Sequence, residues 1–182
     1  MTEENLIKKC ASGDSLAQKT FYEKFAGKMM GVCLRYTKDY EEAQDVMQDA
    51  FIKIFGKLAK YEKKGSLEGW VRRIVVNTAL DSYRKGKKHQ QNVGVDTVDY
   101  LLETKTFIIE ELNANDLLAV IKTIPAGYQM VFNLFAIEGY SHKEIAEKLS
   151  ITESTSKSQY SRARKLLRDL LVEKNIVEEG ER

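Results

Sequence analysis

The sequence predicts an all-α protein of two helical domains, an N-terminal helical bundle and a C-terminal helix-turn-helix domain, joined by a flexible linker. Three observations predict it. Proline occurs once in 182 residues, and no stretch sustains the apolar–polar alternation of a half-buried strand. Apolar residues instead recur at three- and four-residue steps. The period then lapses across 87–109, where charge also changes sign. Residues 1–88 carry 18 basic and 12 acidic side chains, 89–116 carry 1 and 6, and 117–182 carry 10 and 9. These shifts place domains at 1–88 and 115–182, with an acidic linker at 89–114.

Each element has its own signal. Leu6, Ile7 and Cys10 precede a boundary at Ser12-Gly13-Asp14-Ser15. Leu16, Phe21, Phe25, Met29, Val32, Cys33 and Tyr36 then describe an amphipathic helix. Ala43, Val46, Met47, Ala50, Ile54 and Leu58 repeat the pattern from Tyr40 to Leu58. A basic loop, Lys60 to Ser66, follows. Ser66 caps a further helix to about Lys85, with Trp70, Ile74, Val75 and Leu80 inward. The polar run Gly86 to Asn92 ends that pattern, and a short helix is expected near Phe107 to Leu112. Asn115 or Asp116 caps Leu117 to Ile124. Pro125 suits the first turn of a helix to Glu138, and Gly139 ends it.

Composition excludes several classes. No apolar run reaches the roughly 18 residues of a membrane span, so a soluble cytoplasmic protein is expected. Cys10 and Cys33 lack metal-site spacing and read as small buried hydrophobes. No nucleophile–base pair, phosphate-cradling glycine loop or metal cluster is legible, so neither an enzyme nor a cofactor is expected. His89 and His142 lie in polar stretches and read as solvated or capping residues.

The sharpest local motif is GYSHKEIAEKLSITESTSKSQYSRARKLLRDLL, from Gly139 to Leu171. Ser141 and Glu144 form a capping box. Ile145, Ala146 and Leu149 give one apolar face, Ser150-Ile151 a turn, and Thr152 the next N-cap. In such a motif the second helix enters the major groove by its N-terminal end, here Glu153, Ser154, Thr155, Lys157 and Ser158. Arg162, Arg164 and Lys165 would neutralise phosphates. Glu153 either accepts from a cytosine amine or favours the helix N-terminus electrostatically. In the first domain, Asp45, Gln48, Asp49 and Lys53 share a polar stripe at helical spacing, with Asp49 placed to pair with Lys53.

Three segments in this order resemble the sigma-70 family of RNA polymerase sigma factors, in its extracytoplasmic-function group. They are DVMQDAFIKIF (Asp45 to Phe55), WVRRIVVNTALDSYR (Trp70 to Arg84) and YSHKEIAEKLSITESTSKSQYSRAR (Tyr140 to Arg164). The resemblance covers about Ala11 to Leu171. It implies that Asp45, Gln48, Asp49 and Phe55 meet the clamp helices of the polymerase largest subunit. It also implies contact with the flap of the second subunit, and a cognate anti-sigma factor.

For promoter DNA, the resemblance implies that the loop with Lys60, Tyr61, Lys63, Lys64 and Ser66 holds a base of the melted non-template strand. Asn77 meets a minus-ten base, and Arg72, Arg73, Arg84, Lys85, Lys87 and Lys88 follow the backbone. The helix-turn-helix, Thr152 to Lys165, takes the minus-thirty-five duplex. Cations with an aromatic face suit unstacked bases. Packing for Tyr61 and capping for Asn77 are the alternatives to these roles, and Trp70 reads as core. The recognition helix departs from the family's usual T-V-K-S-R-L, reading T-S-K-S-Q-Y. Ser156 replaces an aliphatic and is expected to loosen the helix. Gln159 removes a cation, and Tyr160 must repack. The acidic linker residues Asp96, Asp99, Glu103, Glu110 and Glu111 either mimic nucleic acid in the polymerase cleft or form a solvated tether. The competing readings are a stand-alone helix-turn-helix regulator and an all-helical adaptor.

Overall fold

The computed structural model describes residues 2–93 and 114–173, with backbone alone for 88–93 and 114–117. The expected helix at Phe107 to Leu112, the acidic residues from Asp96 to Glu111, the side chain of His89 and the tail beyond Glu173 lie outside the described residues. The chain forms two compact units, Met1–Lys88 and His89–Arg182. The described residues are helical, with no strand among them.

The first unit is built from α1 (Glu3–Ala11), α2 (Ser15–Leu34), α3 (Tyr40–Lys57), a 3₁₀ turn at Leu58–Lys60 and α4 (Leu67–Val93). Each early helix starts on an oxygen-bearing cap. Thr2 accepts from the Asn5 amide, Asp14 from Ala17 at 2.9 Å, and Asp39 from Glu42 at 2.8 Å. These bonds satisfy amides that have no partner within the helix. Gly13, at φ +86°, turns the chain between α1 and α2. Phe21, Met29, Ile54, Leu58, Val71, Val75 and Leu80 are fully buried, so α2, α3 and α4 share the core. Phe21 packs on Phe25 and on the edge of Phe55, with centroids 4.8 and 5.7 Å apart. At the rim, Lys28 pairs with Glu68 at 2.7 Å, linking α2 to α4.

Three sequence expectations need correction in this unit. Leu16, expected on the apolar face of α2, is 73% exposed, and Ala17 takes the inward place instead. α4 does not stop at Lys85 but runs through Gly86 to Val93. One glycine costs a helix only about 1 kcal/mol, and the Lys and Gln around it are good helix formers. Lys53 does not pair with Asp49. It reaches α4, 3.5 Å from Asp81 and 3.3 Å from the Thr78 hydroxyl.

The second unit holds α5 (Ala114–Lys122), α6 (Ala126–Phe132) continued by a π turn (Asn133–Ile137), α7 (His142–Leu149) and α8 (Glu153–Glu173). Asn115 and Asp116 lie inside α5 rather than capping it. Pro125 stands at the N-cap of α6 rather than in its first turn. Val120, Ile121, Ile124, Ala163 and Leu167 form a buried cluster, with Tyr128, Phe132, Leu170 and Leu171 against it. The capping box on α7 is complete. The Ser141 amide donates to Glu144 Oε2 at 2.8 Å, and the Glu144 amide to Ser141 Oγ at 3.3 Å. Ser150, left-handed at φ 55°, ends α7, and Thr152 Oγ1 accepts from the Thr155 amide at 3.0 Å. The resulting helix–turn–helix spans α7 and α8.

Candidate polymerase-binding and nucleic-acid-binding surfaces

On α3 the periodicity sends Val46, Met47 and Ala50 inward and leaves Asp45, Gln48 and Asp49 exposed. Phe55 is half-buried, 5.9 Å from the Phe51 ring. Gln48 and Phe55 border a groove of about 410 Å³ with Tyr22, Tyr40, Met47 and Ile52. Ile52 is 65% exposed and Tyr40 56%, so the groove has an apolar rim beside two carboxylates. An exposed apolar patch of this kind suits protein contact. The sequence reading missed Tyr22, Tyr40 and Ile52. Ile52 breaks the inward period of α3, which was a usable signal.

The loop after α3 is held by its own contacts. The Tyr61 hydroxyl donates to the Gly65 carbonyl at 2.9 Å, and its ring lies 5.3 Å from Trp70. Tyr61 and Trp70 thus form one half-buried aromatic pair beside exposed Lys60, Lys63 and Lys64. Gly65 (φ +90°) and Lys63 (φ +58°) both take left-handed backbone there. Ser66 accepts from the Gly69 amide at 3.1 Å and starts α4. Along α4, Arg73, Asn77, Arg84, Lys85 and Lys87 are exposed, whereas Arg72 is half-buried. Trp70, Arg73, Asn77 and Arg84 recur at helical spacing on one side, so the loop and this stripe are continuous.

The recognition helix α8 buries Ser156, Ala163 and Leu167. The opposite face exposes Ser154, Ser158, Ser161, Lys165 and Arg168 at steps of four, three, four and three residues, flanked by Glu153 and Lys157. Ser161 and Arg168 are additions to the sequence-read set, and their spacing from Ser154 was the available signal. Thr155 is half-buried, its hydroxyl 2.8 Å from that of Thr152. Arg162 donates to the Tyr128 hydroxyl at 3.3 Å, and the Arg164 guanidinium lies 5.9 Å from the Tyr160 ring. Gln159 is half-buried and lies over Gly127, where a Cβ would stand 3.6 Å from its amide nitrogen. It therefore packs α8 against α6.

Several of these cations are paired within the chain. Lys63 meets Glu4 at 3.1 Å, Lys157 meets Glu153 at 2.7 Å, Lys64 pairs with Glu62, and Arg84 with Asp81. The hydrogen bond from Lys63, and its charge, hold the Glu4 carboxyl below its usual range. Lys157 does the same to Glu153. Burial raises both thiols, Cys33 to about 11. Among the described residues no group of three or more His, Cys, Asp or Glu is disposed to hold a metal ion, and no helix is long and apolar enough to cross a membrane.

Two family models match the chain in order: Sigma-70 region 2 over residues 21–89, and Sigma-70, region 4 over residues 114–167. The RNA polymerase sigma factor SigZ of Bacillus subtilis is 31% identical over 133 residues, 73% of this chain and 74% of that protein. The chain belongs to the sigma-70 family. It falls in the extracytoplasmic-function group of sigma factors, as the resemblance implied. The RNA polymerase sigma-H factor of Pseudomonas aeruginosa is 26% identical over 91% of both chains. The ECF sigma factor SigE of Mycolicibacterium smegmatis is 28% identical over 88% of this chain, which spans 65% of that protein's length. A solved sigma factor, RpoE from Bartonella quintana in complex with the anti-sigma factor NepR, shares the fold. Its TM-score is 0.53 at 22% identity, over 84% of this chain and 97% of that one.

Proposed function

We infer that this sigma-70 family chain is a promoter-specificity factor that binds core RNA polymerase and directs transcription initiation. The observation that supports this most is the coincidence of sequence and surface. The region 2 match covers α3, the Tyr61–Trp70 loop and most of α4, and the region 4 match covers the helix–turn–helix and most of α8. Residues 1–88 are then the polymerase-docking and minus-ten domain, 89–114 a linker, and 115–182 the minus-thirty-five domain.

In this reading Asp45, Gln48, Asp49 and Phe55 meet the polymerase clamp helices. Lys60, Lys63 and Lys64, with the Tyr61 ring, hold the unwound strand, and Arg73, Asn77, Arg84 and Lys85 follow it along α4. Thr152 to Ser158 enter the upstream major groove, while Arg162, Arg164 and Lys165 reach phosphates. An anti-sigma partner covering the Tyr40–Ile52 groove would block docking; the solved RpoE of Bartonella quintana is itself in complex with an anti-sigma factor, NepR. The chain works in the cytoplasm and makes no bonds itself, because polymerase supplies the chemistry.

The test is reconstitution with core polymerase on a promoter library. Transcripts that start at a defined promoter class only when this chain is present support the reading. Sequence-specific duplex binding with no core association points instead to a stand-alone regulator.

A further inference from the structure

Ser156 is a polar side chain fully buried in α8. A buried hydroxyl without a partner is destabilising. Here the partner is His142. Its Nδ1 lies 3.0 Å from Ser156 Oγ. His142 is the first residue of α7, directly after the Ser141 cap. Its ring stacks on Phe135 of the π turn, with centroids 4.3 Å apart and planes 13° apart. Tyr160, one turn beyond Ser156, leans on both rings at 4.5 and 5.8 Å. Three elements therefore converge on one half-buried imidazole. The expected loosening of α8 by serine does not follow, because a directional bond takes the place of apolar packing.

We propose that His142 is a positioning residue that fixes the rotation of α8 through the Ser156 hydroxyl and thereby sets the sequence discrimination of upstream-duplex binding. Ser156 lies between Thr155 and Lys157, about one turn after Glu153, so whatever holds it holds the groove-facing end of the helix. Apolar contact is non-directional and tolerates a small roll of α8. A hydrogen bond 3.0 Å long between two ring-locked and helix-locked atoms does not. Base-edge contacts depend on geometry to within a few tenths of an ångström, whereas attraction to phosphates falls off gently with distance. Losing the bond should therefore reduce discrimination more than total affinity.

The proposal rests on the reading of the second unit as a binder of upstream duplex. Its test uses the full chain with core polymerase, selecting from duplex promoters whose upstream window is randomised. Wild type enriches a preferred upstream sequence. His142→Ala should lose roughly ten-fold of that enrichment, the worth of about one base contact. Core binding and non-specific duplex affinity should stay within about two-fold, since phosphate attraction is unchanged. His142→Asn, whose amide can reach the Ser156 hydroxyl, should recover most of the loss. Circular dichroism checks folding. If His142→Ala has lost helicity, Ser156→Ala decides, and it too should lower enrichment. Enrichment equal to wild type in the folded variant overturns the proposal, as does failure of Asn to restore any of it. A wild-type holoenzyme that binds core yet enriches no upstream sequence overturns the underlying reading of the second unit as well.

Discussion

Ile145→Ala should destabilise the second unit while sparing the first. Ile145 is fully buried on α7, which packs against α8 and the π turn. The change deletes three carbons in a site closed by helices, and such truncations cost about 2–5 kcal/mol. The described part of the second unit is small, 114–173. At about 0.05–0.15 kcal/mol per residue its total stability is about 3–9 kcal/mol, so one side chain carries a large share. A domain of this size loses about 4–8 °C of Tm per kcal/mol, which puts the shift at about 8–40 °C. The assay is thermal melting by far-UV circular dichroism, with Trp70 fluorescence followed in parallel. Trp70 is the chain's single tryptophan and belongs to the first unit, so it reports that unit alone. Part of the helical signal should melt early while the Trp70 transition holds its place. A shift below about 4 °C, less than the smallest truncation cost implies, would refute the packing argument. Equal movement of both transitions would refute the separate cores.

Three further outcomes follow from the surfaces and thiols. Asp49→Lys places a cation on the exposed α3 face; equilibrium binding should show core polymerase affinity weakened by at least about ten-fold with helicity unchanged, and unchanged affinity would remove Asp49 from the interface. Cys10 and Cys33 are both buried, and the Cys33 thiol is pushed up to about 11. An aromatic disulfide reagent at pH 8 should therefore label the native chain no faster than it unfolds, and rapid labelling of two thiols would contradict that burial. Glu153→Gln frees Lys157 from its carboxylate, so duplex affinity at low salt should rise and its salt dependence steepen by up to about 0.9 in log–log slope. Because the hydrogen bond from Lys157, and its charge, hold the folded carboxyl below its ordinary value, the pair is intact at neutral pH and is lost only as pH falls through the depressed value. Wild type and variant should therefore differ throughout pH 5–8 and converge in stronger acid; identical binding at pH 7 would show that the pair does not hold Lys157 back.

Much of the fold was legible because its signals are local. The boundary at Ser12 to Ser15, the caps at Ser141 and Thr152 and the turn at Gly139 each act within four residues, and the structure uses all of them. The buried stripe of α3 follows from period alone, and that of α2 does so from Phe21 onward, with Leu16 outside it. What escaped was decided by neighbours distant in sequence. Lys53 had a tempting partner four residues back, but Asp81 and Thr78 on α4 hold it. His142 read as a solvated or capping residue in a polar run, yet Phe135 and Ser156 meet its ring from two other elements. The π turn at Asn133–Ile137 carries no local mark, because a single extra residue in a helix is absorbed by tertiary packing. The exposed face of α8 was half seen. Reading the basic residues found Lys165 but not Ser161 or Arg168, which only the stripe reveals.

The most direct measurement is titration of labelled core polymerase with the purified full-length chain, with and without promoter DNA. Saturable one-to-one association without DNA, and upstream and downstream promoter contacts that form only in the assembled complex, is the predicted result. A chain that leaves core polymerase untouched at every accessible concentration, yet grips duplex DNA unaided, would contradict the account at its root.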